Sequence, residues 1–134
     1  MTFEEFFRKD RFAAMAGVEL VEIKPGYGKT TMTITEEHLN AGNTTQGGAL
    51  FTLADLALAA AANTRGQLSL SLNSSINFFR PSFPGDLLTA EATEKFSHKR
   101  TGYYQVEITN QKGELIACFE TTVYRKDTPL PFTF

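Results

Sequence analysis

The chain has 134 residues, of which 42% are hydrophobic, 12% aromatic and 21% charged. This composition predicts one globular domain over residues 1–134 and excludes a disordered, collagen-like or coiled-coil chain. A net charge of -2 provides no basic field for sequence-independent binding of nucleic acid. The single cysteine, Cys118, excludes an intrachain disulfide.

Two features of the sequence concern membranes and localisation. The longest apolar stretch, residues 49–62, is shorter than the roughly 20 residues that a membrane span needs. The first residues lack the basic start of a signal peptide. We therefore expect a cytoplasmic protein that binds no nucleic acid and no membrane.

The N-terminal part is predicted to form one helix followed by a hairpin. Thr2 and Glu5 match a capping box, and apolar residues recur at helical spacing up to a glycine, which predicts one helix within residues 1–17. Residues 18–24 and 28–34 are rich in residues that favour strands, and a Pro-Gly-Tyr-Gly turn separates them. They are predicted to pair as an antiparallel hairpin.

A polar loop over residues 35–48 precedes the most apolar part of the chain. Residues 49–62 contain seven alanines, and only Thr52 and Asp55 among them are polar. Because alanine has the highest helix propensity, this segment is predicted to be a helix. Since it is apolar on every face, we expect it to be buried on all sides.

The second half of the chain is predicted to form four more strands. Leucine and serine side chains alternate along the first of them, which is typical of a strand with one apolar face. The strands lie close together in sequence, which favours meander connections over crossovers through helices. We predict an α+β fold in which one long buried helix is wrapped by an antiparallel sheet of about six strands. The four strands of this half are residues 67–79, 86–96, 102–109 and 114–124. After them, an extended peripheral tail is predicted over residues 126–134.

Asp55 is the exceptional residue of the predicted helix. Burying an ionised carboxylate is costly unless it is paired or hydrated, and no cationic residue lies within one helical turn of it. A carboxylate retained in such a place suggests a general base or a nucleophile whose pKa is tuned by burial. The structural alternative is a partly exposed aspartate at the edge of the helix, or one that caps a neighbouring loop.

The residues just before this helix offer further chemical groups. Gly47 and Gly48 leave backbone N–H groups free at the positive end of the helix dipole, where they can polarise a carbonyl or hold an oxyanion. Asn40 and Gln46 in the preceding loop carry amides that can donate hydrogen bonds. Plain turn and cap chemistry for the glycines, and local backbone bonds for the amides, are the structural alternatives.

Several short motifs occur at fixed spacing around these residues. They are Asn40, Gly47-Gly48, Leu53-Ala54-Asp55, Asn63-Thr64-Arg65-Gly66, Ile76-Asn77-Phe78-Phe79-Arg80-Pro81 and Gly85-Asp86. As a set, they resemble the hotdog-fold acyl-CoA thioesterases of the phenylacetic acid degradation (PaaI) type, and the resemblance covers residues 18–125. It implies a long helix wrapped by an antiparallel sheet, and hydrolysis of acyl-CoA thioesters without a metal or a cofactor.

The resemblance also implies roles for individual residues. Asp55 matches the family's catalytic carboxylate, which activates water or attacks the thioester carbonyl. Gly47 matches the glycine whose N–H polarises that carbonyl, and Asn40 matches a loop amide that assists in the same region. Ser71 matches a hydroxyl that helps to place the water in some members, and its structural alternative is the solvent side of an alternating strand.

Gln46, Gly48, Arg80 and Arg100 are the residues predicted to contact the substrate. Members of the family commonly have His-Gly-Gly where this chain has Gln46-Gly47-Gly48, and glutamine donates a hydrogen bond but delivers no proton. Coenzyme A carries phosphates, so a chain with a net charge of -2 must hold it with local cations. Arg80 and Arg100 are such cations, and solvated surface charge is the alternative for both.

The missing histidine leaves a second class of function open. That alternative is a non-catalytic module that binds or senses acyl-CoA on the same fold. A hydratase or dehydratase is a third possibility, but its chemistry needs a positioned histidine with its acid, and His38 is the only histidine in the loop.

The spacing of Gly47 and Asp55 predicts how the protein assembles. Eight residues separate them, which corresponds to about 12 Å along one helix. One thioester carbonyl cannot contact both groups at that separation. The site is therefore predicted to take them from two chains, as in the two-fold homodimer that the resemblance implies, with two dimers pairing into a homotetramer.

Overall fold

The computed structural model describes residues 1–131, within which there are three α-helices, one 3₁₀ turn and six strands. The predicted α+β hotdog architecture is confirmed, because one long helix, α3, packs against one antiparallel sheet of six strands. None of the helices within residues 1–131 has the length and apolar character to cross a membrane. The elements are α1 (Phe3–Phe7), α2 (Arg11–Met15), β1 (Glu19–Lys24), β2 (Tyr27–Thr33), the 3₁₀ turn (Glu36–His38), α3 (Gly47–Asn63), β3 (Gln67–Phe78), β4 (Leu87–Ser97), β5 (Thr101–Thr109) and β6 (Leu115–Pro129).

The strands lie in the order β1-β2-β4-β5-β6-β3, and every neighbouring pair is antiparallel. The predicted meander is confirmed for β4, β5 and β6 but is wrong for β3, which pairs with β6 at the far edge of the sheet. The chain reaches that edge from β2 by a crossover through α3. The crossover lays the apolar helix over the middle of the sheet, where all six strands can contact it.

Small residues allow α3 to lie close to the sheet. Ala57 and Ala61 are fully buried. A Cβ atom on Gly28 of β2 would lie only 2.4 Å from the Ala57 carbonyl oxygen. Gly28 therefore serves the close approach of helix and strand, and it is not part of the turn that its neighbours in sequence form. The Thr30 hydroxyl adds a hydrogen bond of 2.8 Å to the Leu53 carbonyl oxygen.

The prediction that this helix is buried on all sides is wrong. Thr52, Asp55 and Ala59 are partly exposed, Gly48 is exposed, and Phe51 is 37% exposed. A single sheet covers only one side of a helix, so Gly48, Thr52, Asp55 and Ala59 face away from it. Phe51 lies at the boundary, since its ring still packs against Phe119 of β6. We call Gly48, Thr52, Asp55 and Ala59, which are spaced three or four residues apart, the outer stripe of α3.

Two short helices replace the single helix predicted within residues 1–17. The capping box of Thr2 and Glu5 is present at the start of α1. The Asp10 carboxylate accepts the Ala13 N–H at 3.0 Å and so caps α2 as a separate helix. Both helices pack against α3.

The apolar face predicted for β3 does not point to the core along its whole length. Ser69 is buried, while Leu70 is exposed and Leu72 is 64% exposed. The Ser69 N–H donates to the Asn63 side-chain oxygen at 2.9 Å, and its hydroxyl donates to the Ala62 carbonyl oxygen at 3.2 Å. These bonds to the end of α3 hold the serine face inward and leave the leucines outside.

The tail predicted over residues 126–134 is in part a strand. β6 continues as far as Pro129, which lies opposite Gln67 at the start of β3. The Leu130 N–H then donates to the Gly66 carbonyl oxygen at 3.0 Å. This pairing with the start of β3 explains why β6 extends beyond the predicted end at residue 124. The last predicted tail residues, 132–134, lie outside the described residues.

Candidate active site

The first turn of α3 presents a backbone N–H group that has no acceptor. Gln46 is the N-cap residue, and its side-chain oxygen accepts the Gly48 N–H at 2.8 Å. Among residues 1–131, no hydrogen bond uses the Gly47 N–H. Because this group lies at the positive end of the helix dipole, it can donate to a carbonyl oxygen that becomes negative during a reaction.

A cleft of about 360 Å³ opens beside Gly47, and we call it the Gly47 cleft. Asn40, Leu50, Phe78 and Arg80 are among the residues that line it. A Cβ atom at position 47 would lie 2.9 Å from the tip of the Phe78 ring, so only glycine fits without a shift of that ring. The cleft thus brings two predicted catalytic residues, Asn40 and Gly47, to one place.

Asn40 also organises its own loop. Its side-chain oxygen accepts the Gly42 N–H at 2.8 Å and the Thr44 N–H at 3.2 Å. Its side-chain nitrogen donates to the Thr44 hydroxyl at 3.1 Å. The local backbone bonds that formed the structural alternative for Asn40 are therefore present, and they fix the amide at the rim of the Gly47 cleft.

A second cleft, of about 510 Å³, lies between α2 and the start of α3, and we call it the α2 cleft. Gln46, Gly48 and Thr52 line its α3 side, and Phe12 and Met15 line its α2 side. The four residues predicted to contact the substrate therefore do not share one cleft. Gln46 and Gly48 line the α2 cleft, whereas Arg80 lines the Gly47 cleft.

His38 lines the α2 cleft, and both of its ring nitrogens have hydrogen-bond partners. Its Nδ1 accepts the Thr35 N–H at 2.9 Å, and its Nε2 lies 2.6 Å from the Ala16 carbonyl oxygen. Since a carbonyl oxygen only accepts hydrogen bonds, Nε2 carries the proton and both ring nitrogens are engaged. His38 ties the 3₁₀ turn to the end of α2, which leaves the hydratase alternative without a free histidine in this loop.

Asp55 is half-buried on the outer stripe of α3. No hydrogen bond or ion pair within residues 1–131 involves its carboxylate. Burial raises the pKa of Asp55, and the negative charge of Asp10 raises it further. An unpaired carboxylate with a raised pKa is a stronger base than an ordinary aspartate, so it can accept a proton from water.

One chain does not bring Asp55 and Gly47 together. Both lie on α3, and eight residues of helix separate them by about 12 Å. Phe51 lies between the two on the same side of the helix and packs edge-on against Phe119, with ring centroids 4.9 Å apart. A substrate carbonyl bound at Gly47 is therefore out of reach of the Asp55 carboxylate in the same chain.

Ser71 lies on the helix side of the sheet. It is opposite Val123, which is buried, and opposed side chains of an antiparallel pair point to the same face. An irregularity at Leu72 then shifts the alternation by one residue, so that Ser74 returns to the helix side opposite the buried Thr121. The hydroxyls of Ser74 and Thr121 are hydrogen-bonded to each other. Sequence reasoning missed Ser74 because no sequence pattern reveals the irregularity.

The Phe78 ring lies beside Gly47 at the start of α3. The distance from each serine to Phe78 along β3 therefore indicates which part of α3 that serine lies opposite. Ser74 precedes Phe78 by four residues, or about 13 Å of strand. This matches the distance of about 12 Å from Gly47 to Asp55 along the helix. Ser71 lies about 23 Å from Phe78. By residue spacing, Ser74 is therefore closer than Ser71 to the level of Asp55 along α3.

The two predicted phosphate-binding arginines lie at opposite ends of the sheet. Arg80 follows β3 and donates to the Leu115 carbonyl oxygen at 3.1 Å, at the start of β6. Arg100 lies in the turn between β4 and β5 and forms an ion pair of 2.5 Å with Asp127, near the end of β6. One chain therefore offers only Arg80 to a ligand in the Gly47 cleft.

Comparison with known proteins places the chain in a family. Residues 42–117 match the family model described as Thioesterase superfamily. The acyl-coenzyme A thioesterase PaaI of Escherichia coli is 37% identical over 119 residues, which are 89% of this chain and 85% of that protein. A relative from Archaeoglobus fulgidus is 38% identical over 127 residues, which are 95% of this chain and 82% of the relative.

Solved structures agree with the sequence match. The structure of the E. coli PaaI protein from the phenylacetic acid degradation operon has a TM-score of 0.89 and 35% identity, and the match covers 93% of this chain and 91% of that chain. A Streptococcus mutans protein solved with acetyl-CoA bound shares the fold, with a TM-score of 0.80, 24% identity, and coverage of 84% of this chain and 91% of that chain. The chain therefore belongs to the thioesterase superfamily and has its hotdog fold.

Proposed function

We propose that this thioesterase hydrolyses acyl-CoA thioesters at sites that are shared between two chains. The observation that carries the proposal is the pair of groups on α3, an N–H at Gly47 and a half-buried carboxylate at Asp55, neither of which has a partner within residues 1–131. Because about 12 Å of helix separates them, one carbonyl can use both only if α3 of a second chain lies antiparallel beside the first.

The relatives support the choice of substrate. The E. coli relative is an acyl-coenzyme A thioesterase, and the S. mutans protein was solved with acetyl-CoA bound. In this chain, Arg80 at the Gly47 cleft supplies a cation for a phosphate of coenzyme A. The half-buried carboxylate of Asp55, which has no partner within residues 1–131, favours hydrolysis over the non-catalytic alternative, because an unpaired base is of no use to a module that only binds acyl-CoA.

The reaction follows from these groups. The thioester carbonyl oxygen accepts the Gly47 N–H, which stabilises the negative charge that develops there. Asp55 of the second chain takes a proton from a water molecule, and the water oxygen bonds to the carbonyl carbon. When the tetrahedral intermediate collapses, the C–S bond breaks and the thiolate of coenzyme A leaves. The products are the free acid and coenzyme A.

The proton that the leaving thiolate needs comes from Asp55. Gln46 has no titratable group, and its side-chain oxygen is engaged by the Gly48 N–H. His38 uses both ring nitrogens to hold backbone groups. Asp55, whose pKa is raised by burial, is left to return the proton that it removed from water.

We assign the placement of the water to Ser74 in preference to Ser71. Both serines lie on the helix side of β3, but by residue spacing Ser74 is the closer of the two to the level of Asp55. The Ser74 hydroxyl is oriented by its hydrogen bond to Thr121, which in turn donates to the Asn73 carbonyl oxygen at 2.7 Å. A Ser74→Ala variant should therefore lose more activity than a Ser71→Ala variant, and equal losses would remove this assignment.

A two-fold contact along β3 would create the shared site. The outer edge of β3 has no strand partner within residues 1–131, and it exposes Leu70 and Leu72. An exposed strand edge with apolar side chains favours pairing with another strand. If the same strand of a second chain pairs there, the two α3 helices lie side by side and antiparallel, which brings each Asp55 toward the partner's helix start. A homotetramer and a cytoplasmic location stay predictions.

Complementation between two inactive variants tests the shared site. Asn40 lies in the Gly47 cleft, so Asn40→Asp damages the carbonyl side of the site while keeping the oxygen that holds the loop. Asp55→Asn damages the water side. In a heterodimer of the two, one site carries both changes and the other carries neither. Unfolding and refolding an equal mixture should restore about a quarter of the wild-type rate of thiol release.

Refolding each variant alone provides the control for this experiment. A mixture no more active than the mean of the two separately refolded variants would show that the site is built within one chain, or that these residues are not part of it. Circular dichroism of both variants distinguishes that result from a failure to fold.

A further inference from the structure

We propose that the α2 cleft holds the acyl group of the substrate and that Phe12 and Met15 set its size. The inference rests on the proposed hydrolysis of acyl-CoA and adds the substrate class. One wall of the cleft is the start of α3, with Gly48 and Thr52. The same helix end carries the Gly47 N–H that receives the carbonyl oxygen, and the sequence neighbours of Gly47, Gln46 and Gly48, line this cleft. An acyl group long enough to pass the start of α3 therefore reaches it from the carbonyl carbon.

The other wall is made of apolar side chains that the fold does not use. In α2 the only buried residue is Ala13, while Phe12 is 63% exposed and Met15 is 74% exposed. Large apolar side chains that gather at a concave surface are typical of a binding site and not of a stabilising core. Methionine is flexible and adapts to the shape of an apolar ligand.

This wall is held in place at both ends. Asp10 caps the start of α2 through the Ala13 N–H, and the His38 ring donates to the Ala16 carbonyl oxygen at its end. The start of α2 lies near Asp55, because the charge of Asp10 contributes to the raised pKa of that carboxyl group. Since Met15 shares the cleft with residues at the start of α3, α2 runs along the outer stripe toward the helix start.

The cleft favours an uncharged acyl group much larger than acetyl. Its volume of about 510 Å³ lies within the range of small-molecule sites. Phe12 and Met15 offer apolar contact along it, whereas Glu37 brings a negative charge to its lining. An acyl group that ends in a carboxylate, such as succinyl, is disfavoured there by repulsion between like charges.

The test compares kcat/KM for octanoyl-, hexanoyl-, butanoyl-, acetyl- and succinyl-CoA in the wild-type protein and in variants. Met15→Trp fills the cleft at an exposed position, so the ratio of kcat/KM for octanoyl-CoA to that for acetyl-CoA should fall by about tenfold or more. Phe12→Ala removes apolar contact and should lower the same ratio. Glu37→Gln should raise kcat/KM for succinyl-CoA relative to butanoyl-CoA.

Val21→Trp is the matched control, because Val21 is also an exposed apolar residue but lies on β1 outside the cleft. Its selectivity should equal that of the wild type. If the wild-type protein hydrolyses none of these thioesters, the proposed function itself fails. If it hydrolyses them but Met15→Trp and Phe12→Ala keep the wild-type ratio, the acyl group binds elsewhere and only this inference is overturned. A change of oligomeric state in these variants at constant selectivity would equally overturn it, since another copy of the chain would then be what covers Phe12 and Met15.

Discussion

Replacing Gly28 by alanine should disturb both the stability and the activity of this protein. The added Cβ would lie 2.4 Å from the Ala57 carbonyl oxygen, 3.2 Å from the Ala61 nitrogen and 3.3 Å from the Ala60 Cβ. Contact at ordinary van der Waals distance requires β2 and α3 to separate by about 1 Å. The nearest atom belongs to the helix backbone at Ala57, which is fully buried, so no side chain can rotate away to make room.

The size of the effect follows from this geometry. Overpacking a rigid core contact costs about 3 kcal/mol, and for a chain of this length each kcal/mol lowers Tm by roughly 3 °C. We therefore expect Tm to fall by about 10 °C. Because α3 carries both Gly47 and Asp55, a shift of about 1 Å should also lower kcat/KM by on the order of a hundredfold.

Thermal unfolding followed by circular dichroism, together with thiol release from octanoyl-CoA, measures both effects. Gly42→Ala is the control, since its Cβ would lie 3.4 Å from the Asn40 side-chain oxygen, which is an ordinary contact. That variant should keep the Tm of the wild type. A Gly28→Ala variant with wild-type Tm would refute the close approach of α3 to β2, and one with lowered Tm but unchanged kcat/KM would refute the link between helix position and catalysis.

Two further predictions concern carboxylates whose pKa values are shifted. Asp55→Asn should lower turnover by at least about a hundredfold yet raise Tm at neutral pH. Because the pKa of Asp55 is raised in the folded protein, stability is lost as pH rises through that pKa, and an uncharged amide avoids this loss. Activity within a few fold of the wild type, or an unchanged Tm at neutral pH, would contradict this prediction. The hydrogen bond from Arg65 lowers the pKa of Glu94, so the stability that this carboxylate provides is present at neutral pH and is lost as pH falls through the lowered pKa. Glu94→Gln should therefore lower Tm at neutral pH and leave it nearly unchanged in strong acid, and an equal loss at both pH values would argue against the ion pair as the cause.

Local patterns were sufficient to predict most of the secondary structure. The helix predicted over residues 49–62 is α3, and it begins only two residues earlier than predicted. The separation of Gly47 and Asp55 could also be worked out in advance, because both residues lie on the same helix and its rise per residue is constant. Propensity, alternation and helix rise depend on neighbours in sequence, which is why they can be read without a structure.

Other features depend on residues far apart in the chain, and sequence patterns misjudged them. Gly28 looks like part of a turn, but its role is set by Ala57 on the facing helix. The inward face of β3 is set by the bonds of Ser69 to the end of α3 and by the irregularity at Leu72. The sequence of β3 alone predicts neither the bonds of Ser69 nor the irregularity.

The sequence by itself determined the architecture, the family resemblance and the residues whose chemistry suits thioester hydrolysis, because each of these depends on residue type and local spacing. Only the tertiary structure decided which of those residues share a cleft. It put Asn40 with Gly47 on one side of the start of α3 and Gln46 on the other, and it engaged both ring nitrogens of His38 in backbone contacts. It also left Asp55 half-exposed, because one sheet covers only one side of a helix. Such placements follow from the packing of distant segments, which short-range patterns do not encode.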